Sequence, residues 1–123
     1  MNFKDKEPIY LQIADHVSEH IMLGKWLPGE KILSVRELAV SLQVNPNTVM
    51  RTYEYLQQQE IIFNKRGLGL FVTDDAMARI KTTRKERFIQ HELPDFFNSL
   101  YLLDIKPEEV LKRYEDFKKT KNI

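Results

Sequence analysis

Asn45, Asn47, Thr48 and Arg51 lie close together in the stretch QVNPNTVMRTYEYL. Asparagine pairs with the edge of adenine, arginine with that of guanine, and threonine adds a hydroxyl. A second set flanks them, with Arg36 upstream and Lys65-Arg66 beside Gly67 and Gly69 downstream. Cations next to glycine suit phosphate oxygens or a narrow groove, because glycine permits positive φ and close backbone approach. Taken alone, the first set reads equally well as a solvated helix face, and an isolated KRGxG is more commonly a polar hairpin turn. The elements that carry the residues decide between these readings.

Ser34 and Glu37 stand three apart, the spacing of a capping box in which each satisfies an orphan backbone donor at a helix start. Leu38, Ala39 and Leu42 supply the apolar stripe of that helix, which stops near Gln43-Val44. Asn45 can cap a second helix, with Pro46 at its first position, where a missing N–H costs nothing. Val49, Tyr53 and Leu56 then share one face, and Asn47, Arg51, Glu54 and Gln58 the opposite one, with Thr48 and Met50 on the flanks. Ile61-Ile62-Phe63-Asn64 and Leu70-Phe71-Val72 read as short strands around a Lys65–Gly69 tip. Two short helices followed by a glycine-tipped hairpin are the plan of a winged helix-turn-helix, which places its second helix in the major groove of DNA.

Upstream, Ile9, Ile13, Val17 and Ile21 recur every four residues as the core stripe of a supporting helix that starts near Pro8 and ends near Gly24. Lys31-Ile32-Leu33 is expected to join the sheet of the wing. His16 and His20 are four apart on the supporting helix, but no third ligand is evident, so they are read as packing or surface residues. No metal or cofactor is expected.

The chain has 123 residues, a net charge of +1 and no cysteine, which excludes disulfides and thiolate–metal chemistry. No apolar run is long enough to span a membrane, and MNFKDKEPIY lacks the apolar core of a signal peptide, so a cytoplasmic protein is expected. There is no cysteine nucleophile, phosphate loop or HExxH, and no serine or carboxylate arrangement around the three histidines. No catalytic residues are assigned. Residues 1–75 hold eight Lys/Arg against ten Asp/Glu, whereas residues 76–123 hold eleven against eight. A sequence-blind nucleic-acid binder would carry a basic excess in its binding half. Arg36, Arg51, Lys65 and Arg66 must therefore share a face from which Asp15, Glu19 and Glu30 point away. Otherwise the module binds a protein partner instead.

PGEKILSVRELA, VNPNTVMRTYEYL and RGLGLFV together resemble the DNA-binding domain of GntR-family bacterial transcription regulators. SVREL and NPNTV are most similar to the small YtrA-like branch. The resemblance spans roughly residues 8–72. It implies double-stranded DNA as partner, Arg36 on the DNA backbone or bases, and Asn45, Asn47 and Thr48 placed for the groove. It also implies that the Gly67–Gly69 tip lies against the minor groove. Family members often carry arginine where this chain has Pro46 and Met50, which implies a different base preference. Gln43 and Glu60 stand where the family commonly has glycine, at helix ends that favour a left-handed backbone. Leu33 replaces a common proline, and Leu68 and Leu70 replace a basic or polar residue and a threonine in the wing.

Beyond Asp74-Asp75, which suit a helix N-terminus, a helix is expected from Ala76 toward His91. Its basic segment Arg79–Arg87 is read as a solvated linker rather than a phosphate track. Two shorter helices follow, over residues 94–103 and from Pro107. Phe96, Phe97, Leu100, Tyr101, Leu111, Tyr114 and Phe117 give them more apolar surface than so few residues can bury alone. Burial against a second copy is expected, as GntR-like regulators are dimers. The expected fold is mainly α with a small β-wing. Residues 1–74 form a winged helix-turn-helix DNA-binding domain, and residues 75–123 a helical dimerisation tail. The expected function is a sequence-specific DNA-binding transcription regulator, a dimeric repressor at a two-fold operator near its own gene. No effector is assigned.

Overall fold

A computed structural model describes residues 7–121. The described residues divide into two compact units, one ending at Thr83 and one beginning at Arg84.

The first unit is assembled around one core. Helix α1 (Ile9–Met22) buries Ile13, Val17 and Ile21 together with Gln12, Ala14 and Ser18. Ile9 departs from the expected stripe: as the first residue of the helix it remains about half exposed, and burial begins one turn later. Helix α2 (Val35–Leu42) buries Leu38 and Ala39, and helix α3 (Pro46–Gln58) buries Val49, Thr52, Tyr53 and Leu56. Both α1 and α2 pack against α3.

The wing consists of β1 (Ile62–Lys65) and β2 (Gly69–Val72), antiparallel, with Ile62 opposite Val72 and Lys65 opposite Gly69. The Lys31 region adds a single bridge to Phe71 rather than a full strand, reinforced by hydrogen bonds from Ile32 N to Leu70 O and from Val72 N to Glu30 O. Ile61, Ile62 and Val72 bring the base of the wing into the core.

Helix α4 (Ala76–Arg87) starts after Asp74-Asp75, and its Ala76 and Ile80 are buried in the same core as α1–α3. The helix does not remain α-helical to His91. It passes at Phe88–Glu92 into a π-helical turn, followed by α5 (Leu93–Leu102). Pro94 supplies the reason. It has no N–H, and in a regular helix its ring would strike the carbonyl four residues back, a conflict that a widened turn relieves.

In the second unit, α5 is joined by a short turn through Asp104 to α6 (Pro107–Lys121). Neither helix buries a single residue within the chain.

Candidate nucleic-acid interface

The starts of α2 and α3 are fixed by their own side chains. Ser34 Oγ accepts from Glu37 N at 3.1 Å while Glu37 Oε1 accepts from Ser34 N at 3.0 Å, closing the capping box. The Ser34 donors hold the Glu37 carboxyl below its usual range. Asn45 Oδ1 accepts from Asn47 N at 2.8 Å, with Pro46 in the first turn. Its carbonyl is therefore spent on the cap, and its amide N–H groups stay available. Arg36, one residue into α2, is exposed.

Opposite the buried Val49–Tyr53–Leu56 face, α3 presents Asn47, Met50, Arg51, Glu54 and Gln58 to solvent, with Thr48 half-buried on the flank. Tyr53 locks the helix from behind, donating from its hydroxyl to Leu33 O at 2.7 Å. Burial, with a smaller contribution from Glu37, pushes the Tyr53 hydroxyl well above its ordinary range, so it stays a donor. Arg51 does not extend freely. Its guanidinium carbon sits 4.1 Å from the ring centroid of Tyr10 on α1.

At the wing tip, Lys65, Arg66, Gly67 and Leu68 are exposed. Gly67 has φ +78° in open space. Gly69 has φ +114°, and a Cβ there would come within 2.8 Å of the Lys31 side chain. Glycine is favoured at Gly69 by its backbone, whereas the end of the Lys31 side chain could move aside. The Lys65 ammonium lies 4.6 Å from the Phe71 ring centroid and 5.7 Å from that of Phe63, which steadies it on the wing surface.

The gntR family model of bacterial regulatory proteins matches residues 9–72. The chain belongs to the GntR family. The HTH-type regulator YhcF of Bacillus subtilis is 36% identical over 94% of this chain and 93% of its own length. The HTH-type transcriptional repressor YtrA of the same organism is 40% identical over 68% of this chain and 61% of its own. A crystal structure of a GntR-family regulator from Bacteroides thetaiotaomicron shares 49% identity and superposes with a TM-score of 0.79, covering 94% of this chain and all of that one. The DNA-binding domain of AraR, solved with its operator ORR3, is 29% identical with a TM-score of 0.54, over 59% of this chain and 88% of that one. This GntR-family chain is a DNA-binding transcription regulator and not an enzyme.

The family's usual glycines are replaced here at two left-handed positions, as expected from the helix ends: Gln43 has φ +56° and Glu60 φ +59°. Glu60 also forms an ion pair with Arg79, which in turn holds Asp75 at 3.0 Å. The first cation of the Arg79–Arg87 segment is thereby occupied within its own unit. His16 and His20 lie 4.5 Å apart by ring centroid, and the His20 ring meets that of Trp26 at 5.1 Å, tilted by 38°. Among the described residues no three His, Cys, Asp or Glu side chains gather as a metal site. Among the described residues no helix is long and apolar enough to cross a membrane.

Tyr10 and Thr52 are the contributors that periodicity did not reveal. Thr52 is fully buried, its hydroxyl 2.8 Å from Tyr10 O and 3.1 Å from Thr48 O. A polar residue amid the Val49–Tyr53–Leu56 stripe is the available signal, since a buried hydroxyl needs a partner. The sequence does not say that the partner is α1.

Proposed function

We propose that this chain is a homodimeric repressor that binds a two-fold related operator near its own gene and acts in the cytoplasm. The carrying observation is that α5 and α6 bury nothing within the chain while exposing Phe96, Phe97, Tyr101, Leu111, Tyr114 and Phe117. Together with half-buried Leu100, these side chains form the surface that a second copy would cover. Pairing two recognition helices through a tail is how such modules address a palindrome. The repressor role is supported by YtrA, which bears that description.

In this reading residues 1–74 bind DNA and residues 75–123 dimerise. Arg36, Lys65 and Arg66 fix position on phosphates, with Gly67 and Gly69 giving the tip its approach. Asn45, Asn47, Thr48 and Arg51 face the groove. Repression follows from blocking polymerase.

The test is a titration against the gene's own upstream DNA and a scrambled duplex, with sedimentation of the free protein. Preference for the upstream duplex, lost in the Arg36→Ala/Arg51→Ala variant, is expected. The Phe96→Ser/Phe117→Ser variant should sediment as a monomer and bind the operator far more weakly. A dimer persisting unchanged in that variant would overturn the interface, and equal binding to both duplexes would overturn the proposed operator.

A further inference from the structure

Arg51 is the only cation among the exposed residues of α3, and the structure does not leave it loose. Its guanidinium lies over the Tyr10 ring at 4.1 Å. Tyr10 is itself placed from two sides. Its carbonyl faces the buried Thr52 hydroxyl at 2.8 Å, and the Tyr55 ring meets it edge-on at 6.3 Å between centroids. Tyr55 follows Arg51 by one helical turn, so α3 grips the first turn of α1 at positions 51, 52 and 55.

We infer that Tyr10 is a positioning residue for DNA readout, holding the Arg51 guanidinium flat so that its edge faces the duplex. A guanidinium stacked on a ring uses its π-face and keeps its N–H donors in its own plane. Those donors form a rigid fork suited to a guanine edge or a phosphate. An unstacked arginine must lose rotamer freedom when it binds, and stacking removes part of that loss before DNA arrives. A residue of α1, outside the helix-turn-helix proper, thereby controls the recognition helix. The inference rests on the proposed role of α3 in base readout.

The probe is a duplex selected by the wild-type protein from a randomised pool, with each base pair then varied singly. Arg51→Ala should weaken binding roughly tenfold and flatten preference at one base pair. Tyr10→Leu should weaken binding in the same sense and flatten preference at the same base pair, whereas Tyr10→Phe, which keeps the ring, should behave as wild type. Adding Tyr10→Leu to Arg51→Ala should cost nothing further. Thermal melting of each variant reports whether the fold survives, and Tyr10→Phe keeps the test decisive if Tyr10→Leu unfolds.

Additive losses in the double variant would overturn the inference, as would a uniform loss that leaves base preference untouched. An equal loss in Tyr10→Phe would also overturn it, assigning the effect to the hydroxyl. If Arg51→Ala binds normally while Arg36→Ala does not, the inference fails and the DNA-binding face stands. If both bind normally, the proposed face itself fails.

Discussion

The first unit and the α5–α6 tail are built from similar side chains and use them in opposite ways. Tyr53 and Leu56 are buried, and Tyr53 even finds a carbonyl for its hydroxyl. Tyr101, Tyr114 and Phe117 stand out from their helices, Tyr101 with 81% of its surface exposed. On α6, Lys118 and Lys121 cover part of the Tyr114 and Phe117 rings, at 5.1 and 5.2 Å. Such stems shade apolar surface without excluding water from it. The first unit therefore covers its apolar face from within, whereas α5 and α6 leave theirs uncovered by the described chain. Periodicity identifies an apolar face, but it does not say whether that face is covered from within or by a partner.

The largest expected effect breaks the comparison at its centre. Leu56→Ala should destabilise the first unit by about 2–5 kcal/mol, because it removes a fully buried side chain that neighbours cannot easily replace. Tyr114→Ser should leave the denaturant midpoint of that unit unchanged and alter only the concentration dependence of assembly. Chemical denaturation followed by Trp26 fluorescence at several protein concentrations separates the two. A Tyr114→Ser loss comparable to that of Leu56→Ala, seen at every concentration, would place Tyr114 in a core of the chain's own.

A gain of about 1 kcal/mol is expected next from Gln43→Gly, since a side chain in the left-handed region costs roughly that much and glycine does not bear it. Glu60→Gly should gain less. It relieves the same strain but gives up the Arg79 ion pair, whose partners are both substantially exposed and so contribute little. Asp104, at φ +53° in the tail, is better tolerated because aspartate hydrogen-bonds locally in that conformation. Melting temperatures that do not move in Gln43→Gly would mean that the inter-helix turn is not strained.

What the sequence made legible follows the range of the interactions involved. Ser34–Glu37 and Asn45–Pro46 are local, and the structure has both helix starts where those residues predict them. The wing tip is local too, apart from strand bounds displaced by one residue. Three features depended on contacts distant in sequence. Ala76 and Ile80 joined the first core although α4 is overwhelmingly polar. The Lys31 segment made one bridge, to Phe71, with the cap of α2 following at Ser34. Arg51 lies on the exposed polar face of α3 that periodicity predicts, but its place over the Tyr10 ring is not legible, because the two are brought together only by the packing of α1 on α3.

The smallest expected effect is one of pH, and it again belongs to the first unit. His16 is partly buried, and burial, followed by the neighbouring charge of His20, lowers its pKa from the ordinary 6.5, with Glu19 opposing. The folded chain therefore binds this proton less readily than the unfolded chain. Above pH 6.5 both states are neutral at His16 and the residue contributes nothing to the slope. As pH falls through 6.5 the unfolded state takes up the proton first, so stability declines until the folded value is passed, and then levels. Glu37 acts in a lower window. Its depressed pKa gives stability that is present above 4.5 and lost as pH falls through the folded value. Melting curves from roughly pH 8 to roughly pH 5 should show His16→Gln with a shallower decline than wild type, and Ser34→Ala with an unchanged slope in that range. An identical decline in His16→Gln would place the titrating group elsewhere and leave the His16–His20–Trp26 cluster as packing alone.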